Sequence, residues 1–170
     1  SEQNLKYDIA QVRALRAFAY FYMVRIWGDV PLVTYSYDNG TFPSMPRTDA
    51  QTVLSYAKAE LLTAIKDLPY QYGTQTNLYY GSYGAQWQGK LFNKLSAYSV
   101  LAHICAWQGN YAEAETYSAF IIDHASEINA KYTSITDLTS ETGLFYSNAS
   151  VKGSRILGFN FAHNDNEATQ

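Results

Sequence analysis

The chain is 170 residues long, a length that fits one domain. It is 47% hydrophobic and 16% charged, with 10 glycines and 4 prolines, which excludes collagen-like, proline-rich and highly charged disordered classes. The net charge is −3 and lysine and arginine form no cluster, so the basic patch expected of a nucleic-acid binder is missing.

In chain order, Tyr7 to Trp27 is the first predicted helix. Val12, Leu15, Ala19, Tyr22 and Ile26 recur at spacings of three and four and are expected to form one inward face. Ala14, Phe18, Phe21 and Val24 widen that stripe. A helix apolar around most of its circumference packs against several neighbours. Arg13, Arg16 and Arg25 are expected on its remaining sides. Gly28 ends the helix, and Asp29-Val30-Pro31 prevents its continuation. The apolar run from Ala17 to Trp27, interrupted by Arg25, is far short of the roughly 20 residues needed to cross a bilayer.

Leu32 to Arg47 reads as a loop, with Asn39-Gly40, Pro43 and Pro46 as turn signals. Thr48 or Asp49 caps the second helix, which runs to about Leu68 and stops at Pro69. Its apolar face is Val53, Tyr56, Ala57, Leu61, Ala64, Ile65 and Leu68. Tyr70 to Gly89 is a second loop, holding four glycines, five tyrosines and Trp87 without a single charge. It fits neither a helical nor a strand period. Its length points either to function or to a self-packed loop of the omega kind.

Leu91 to Gln108 is the third helix, with Leu95, Tyr98, Leu101, Ala102, Cys105 and Ala106 on its face. Gly109-Asn110 is a tight turn. Tyr111 to about His124 is the fourth helix, with Ala114, Tyr117, Ile121 and Ala125 inward. Lys131 to Ser150 reads as irregular, with a helical turn around Ile135 to Leu138. Arg155 to Phe161 alternates as a strand does. The expected fold is mainly α: tetratricopeptide-like antiparallel helix pairs with long loops and a short C-terminal strand. The expected domain covers residues 1–170 as a single unit, a fragment of a longer protein.

The third and fourth helices carry the repeat signature. Small Ala102 and Ala114 let the two rods approach, Gly109 makes the turn, and Tyr111 fills the wedge between helices.

Support for catalysis is thin. His103 and Cys105 are two residues apart on a helix and so face different ways. His124 sits at a helix end that favours a cation. Glu113 and Glu115 diverge around their helix and form no acid/base pair. A single cysteine allows neither an internal disulfide nor a cysteine-based zinc site. His163 to Glu167 lacks the glycine and terminal glutamate of a calcium loop. No nucleophile elbow or phosphate-binding loop is present. No catalytic residue, metal ligand or cofactor is expected. The candidate ligand surface is the second loop, where Tyr79, Tyr80, Tyr83 and Trp87 are spaced to form a short aromatic platform for a sugar ring.

The run from Arg13 to Tyr35, ALRAFAYFYMVRIWGDVPLVT between its two ends, resembles the hallmark segment of SusD/RagB-type nutrient-binding lipoproteins. Pro46-Arg47-Thr48 followed by YAKAELLTAIKDLP (Tyr56 to Pro69) is similar to that family's second helix. Lys90 to Tyr98 and then WQGNYAEAETYSAFIID (Trp107 to Asp123) are similar to its next helix pair. Gly153 to Gly158 stands where the family has a similar late string, with Arg155 replacing its common acid. The resemblance covers about Arg13 to Phe161. It implies a surface-exposed outer-membrane lipoprotein, membrane-bound only through a lipid anchor absent from this chain. It further implies a SusC-like TonB-dependent transporter as partner, an oligosaccharide or peptide as ligand, and no enzymatic activity. The alternative reading from the residues is a helical-repeat scaffold that docks a protein without binding glycan.

Overall fold

The computed structural model describes residues 1–37, 40–74, 78–82 and 89–130. The late helical turn, the C-terminal strand at Arg155–Phe161 and the His163–Glu167 run lie outside the described residues. Among the described residues there are four helices: α1 (Glu2–Trp27), α2 (Ala50–Asp67), α3 (Lys94–Trp107) and α4 (Tyr111–Asp123). One 3-10 turn, Ala125–Ile128, follows α4. The mainly helical fold expected from the sequence is observed.

Each helix start has a side chain that accepts from an otherwise orphaned backbone N–H. Ser1 caps α1, so the helix begins five residues earlier than its apolar period suggests. Asp49, rather than Thr48, caps α2 through the Thr52 N–H at 2.9 Å. Asn93 and Ser96 cap each other reciprocally at the start of α3, both bonds at 2.8 Å. Asn110 caps α4. Gly28 leaves α1 at φ 67°, a conformation in which any β-carbon is strained.

Contacts run in opposite order along each successive pair. Arg13 and Arg16 meet Glu60, Tyr20 meets Tyr56, and Val30 bridges Thr48. Tyr98 meets Phe120, while Cys105 lies beside Glu113. Neighbouring helices are therefore antiparallel. α1 packs on α2 and α3 on α4, and α2 on α3 joins the pairs. The α1/α2 seam is built of small residues: Ala10, Ala14 and Ala17 on one side, Ala57 and Ala64 on the other, all buried. Leu54, Leu61, Leu95, Leu101 and Ile104 fill the remaining core.

One expectation is corrected. Val12, Leu15, Tyr22 and Ile26, expected to face inward on α1, are exposed, Ile26 to 63%. Ala19 is exposed as well. The buried face is the opposite one: Tyr7, Ala10, Gln11, Ala14, Ala17, Phe21 and Val24. α1 carries apolar residues on both sides, and close backbone approach to α2 selects the side with the smaller ones. On α3 the inward set shifts likewise, to Leu95, Ala97, Val100, Leu101, Ile104 and Cys105, with Ala106 exposed. The four residues expected inward on α4 and its end are half-buried; among the described elements α4 packs on α3 and on the 3-10 turn that follows it.

Two polar devices pin α1. Glu60, itself buried, accepts from Arg13 at 2.9 Å and Arg16 at 2.5 Å, which neutralises a carboxylate inside the seam. Gln11 acts as a surrogate peptide group. Its Oε1 accepts the Phe92 N–H at 3.0 Å, and its Nε2 donates to the Phe92 carbonyl and to the Tyr72 hydroxyl. Replacing Gln11 with leucine keeps the volume and strands the Phe92 N–H. Gln11→Leu is expected to cost about 1–3 kcal/mol, read as a lower urea midpoint with unchanged slope.

Candidate functional site

The helices present two aromatic loops. The first spans residues 31–47 and is closed at its neck. Val30 and Thr48 exchange backbone hydrogen bonds at 3.2 and 2.9 Å, and Asp29 accepts from the Ala50 N–H at 2.9 Å. Tyr20, rising from α1, exchanges hydrogen bonds with the backbone of Val33 at 2.7 and 3.0 Å. Beyond this anchor the loop displays three rings in sequence. Tyr35 lies 4.9 Å from Tyr37, and Tyr37 lies 5.1 Å from Phe42. The outer two are open to solvent, Tyr35 at 62% and Phe42 at 72%. The Tyr37 hydroxyl donates to that of Tyr35 at 2.9 Å, and this bond holds the Tyr37 phenol above its ordinary pKa. Sequence reasoning read this segment only for its turns. The Tyr35, Tyr37 and Phe42 spacing was the available signal.

The second loop begins firmly anchored. The Tyr70 ring stacks on His124 and lies under the Lys94 ammonium, and Gln71 donates to the Glu127 carbonyl at 2.5 Å. Tyr72 turns inward, where its hydroxyl donates to the Phe92 carbonyl at 2.8 Å. Burial pushes its phenol far above the usual tyrosine range.

Of the four residues expected to form an aromatic platform here, two are described. Tyr79 is 6% exposed, packed with Tyr7 and Tyr72 in a small ring cluster. It presents no free ring face and serves as a peg. Tyr80 is 60% exposed. Tyr83 and Trp87 lie outside the described residues. A tight turn sets Tyr80 outward: the Ser82 N–H donates to the Tyr79 carbonyl at 3.0 Å, and Tyr80 and Gly81 both hold positive φ, 48° and 75°. Left-handed backbone is unfavourable for tyrosine and persists where surroundings fix it. Asp8 of α1 does so, its two carboxylate oxygens accepting from the Tyr79 and Tyr80 hydroxyls. That bond raises the Tyr80 phenol above its ordinary pKa, and burial followed by the same acceptor raises Tyr79 further.

Among the described residues, other polar groups do not assemble a reactive centre. Cys105 is buried, and burial pushes its thiol up, away from the thiolate a nucleophile needs. Beside it Lys58 pairs with Glu113 at 2.5 Å. His103 is exposed on α3 and faces away from Cys105. Among the described residues no group of three or more His, Cys, Asp or Glu is placed to hold a metal ion. Among the same residues no helix is long and apolar enough to cross a membrane.

Fold and site together define a helical-repeat protein with ring-bearing loops fixed to its rods. No family model and no curated protein matches the chain. Solved structures do. A SusD superfamily protein from Bacteroides thetaiotaomicron is 99% identical over 95% of this chain, with a TM-score of 0.87. A surface glycan-binding protein A from Bacteroides uniformis is 26% identical over 72% of the chain, TM-score 0.59. A SusD-like carbohydrate-binding protein from Bacteroides fragilis, 23% identical over 78% of the chain with a TM-score of 0.63, shares the fold. The chain belongs to the SusD superfamily. It spans 35% of the length of the first of these proteins, 26% of the second and 24% of the third.

The Asp8 latch is separable from burial. In Asp8→Ala, the Tyr80 phenol is expected to fall back toward the free value near 10, while Tyr79 stays above it because its ring remains buried. Site-resolved NMR titration of carbon-labelled tyrosine checks both.

Proposed function

We propose that this chain is the helical-repeat portion of a longer, non-catalytic nutrient-binding protein that takes glycan at the outer surface of the outer membrane. The observation that carries the reading is the arrangement of exposed rings: Tyr80 on the second loop, held by Asp8 of α1, and Tyr35 on the first, hydrogen-bonded to Tyr37 on a loop that Tyr20 anchors, with Phe42 packed on the Tyr37 ring. The apolar C–H face of a pyranose stacks on such rings, each contact contributing about 0.5–1.5 kcal/mol by analogy with aromatic pairs. Tyr35 and Tyr37 hydroxyls and the Asp8 carboxylate stand beside the rings and suit sugar hydroxyls. On the second loop the proposed ligand residues are Tyr80, Tyr83 and Trp87, with Tyr79 as the peg behind Tyr80.

The carbohydrate-binding descriptions of the similar Bacteroides uniformis and Bacteroides fragilis proteins support the same ligand class. The full protein would hold its ligand without covalent change and release it to a SusC-like TonB-dependent transporter, with a lipid anchor outside this chain keeping it at the surface. The test is isothermal titration of the full-length protein against a polysaccharide panel. At about 1 kcal/mol per ring, Tyr80→Ala is expected to weaken binding about 5-fold and Tyr35→Ala combined with Phe42→Ala about 30-fold. Unchanged affinity in both variants, with helicity retained, removes these loops from the ligand site.

A further inference from the structure

Of the four arginines among the described residues, three are spent on the fold. Arg13 and Arg16 pair with Glu60, and Arg47 donates to the Asp29 carbonyl at 3.4 Å. Arg25 differs. It is exposed, and among the described residues no carboxylate pairs with it. Aromatic rings flank its guanidinium instead. The Cζ lies 5.4 Å from the ring centre of Phe21, 5.3 Å from Tyr22 and 5.4 Å from Trp107. Phe21 and Tyr22 stand one turn back on α1, and Trp107 is the last residue of α3. Phe21 is buried, whereas Tyr22 at 44% and Trp107 at 54% leave ring surface open to solvent.

A cation in the last turn of α1 suits the negative helix end. Lysine would meet that need as well as arginine, and neither calls for a ring brought from α3. Cation–π attraction holds the guanidinium but uses none of its five N–H donors as a hydrogen bond to oxygen. A donor fork beside exposed rings matches a particular ligand: a sugar ring that carries a carboxylate. The carboxylate accepts two parallel N–H bonds from the guanidinium, while the apolar C–H face of the same pyranose lies on Tyr22 or Trp107. We propose that Tyr22, Arg25 and Trp107 form a binding site for the hexuronic acid units of an acidic glycan. The proposal rests on the reading of the protein as a glycan binder and narrows it from sugars in general to carboxylated ones.

The two ends of α1 then select by charge. Asp8, which holds Tyr80, is a carboxylate that suits sugar hydroxyls and repels an acid. Arg25 stands 17 residues further on, about 25 Å along the helix axis. It lies just before the chain leaves α1 for the first loop, so an acidic unit is drawn to that end. The chain as a whole carries −3, so the attraction is local to Arg25 and weakens with salt.

The experiment is isothermal titration of the full-length protein against polygalacturonate, alginate and hyaluronan. Each is paired with the same polymer after carboxyl reduction, which keeps the sugar rings and removes the charge. At least one acidic polymer is expected to bind about 10-fold or more tightly than its reduced partner. Arg25→Gln should abolish that difference, and Arg25→Lys should restore only part of it, because an ammonium is a point charge without the fork. Trp107→Leu should weaken the acidic and reduced forms alike. Helicity and urea midpoint are to be unchanged in the variants compared. Failure of every acidic polymer to bind overturns the proposal, as does equal binding of acidic and reduced forms or an Arg25→Gln protein with undiminished affinity. Neutral glycan binding that depends on Tyr35, Phe42 and Tyr80 but not on Arg25 overturns this site alone and leaves the broader reading standing. An Arg25→Gln defect confined to association with a transporter assigns the patch to a protein partner and also overturns it.

Discussion

The exchange of hydrogen bonds between the Gln11 side chain and the Phe92 backbone is the constraint on which the arrangement of this chain depends. Phe92 lies two residues before α3, at the exit of the tyrosine loop, and its peptide groups have no helix partner of their own. A buried amide left unpaired costs more than any single apolar contact nearby can return. Gln11 supplies both halves of a peptide-like pair from the middle of α1. Tyr72 adds a donor to the same carbonyl. One side chain thereby fixes the start of the second helix pair against the first, and fixes where the tyrosine loop must begin and end. Direct packing between α1 and α3 is slight by comparison with the α1/α2 and α3/α4 seams.

The second constraint is size. Ala10, Ala14 and Ala17 allow α1 to lie close to α2, and closeness brings Glu60 within reach of Arg13 and Arg16 together. A carboxylate buried with two guanidiniums fixes register more than it adds stability, since desolvation offsets much of the attraction. It specifies which turn of α1 meets which turn of α2. Larger residues at the alanine positions would separate the rods and leave Glu60 buried without its partners.

Much of this was legible in the sequence, and the parts that were not share a cause. Helix number and order, the end of α1, both ends of α2 and the α3/α4 turn followed from Gly28, Asp49, Pro69 and Gly109-Asn110, all local signals that act through backbone geometry whatever lies around them, whereas the starts of α1 and α3 are set by the Ser1 and Asn93 caps that the apolar period does not report. The facing of α1 did not follow, because periodicity measures contrast between sides, and Val12, Leu15, Tyr22 and Ile26 are more hydrophobic than the alanines opposite. Hydrophobicity ranked the wrong side first; proximity to α2 decided. The same limit governed the loops. Tyr79 and Tyr80 are neighbours of one residue type, yet one is a core peg and the other is open to water. Their difference comes from a turn with positive φ and from Asp8, some 70 residues earlier in the chain. A period cannot report contacts that distant.

The abundance of tyrosine has a physical reading in these contacts. Phenylalanine would stack on a ligand as well as tyrosine, but an exposed phenylalanine on a loop has nothing to hold it except burial of the very face a ligand needs. A phenol separates the two tasks. Tyr80 leaves its ring in solvent while its hydroxyl is held by Asp8, and Tyr35 does the same through Tyr37. Tyr20 uses its ring in the core and its hydroxyl to fix the loop above. Tethering through the tip removes rotamer freedom before any ligand arrives, so less ordering entropy is lost on binding. Tyrosines on the two loops and their supporting helices therefore keep rings both exposed and oriented, which loops of apolar residues alone would not achieve.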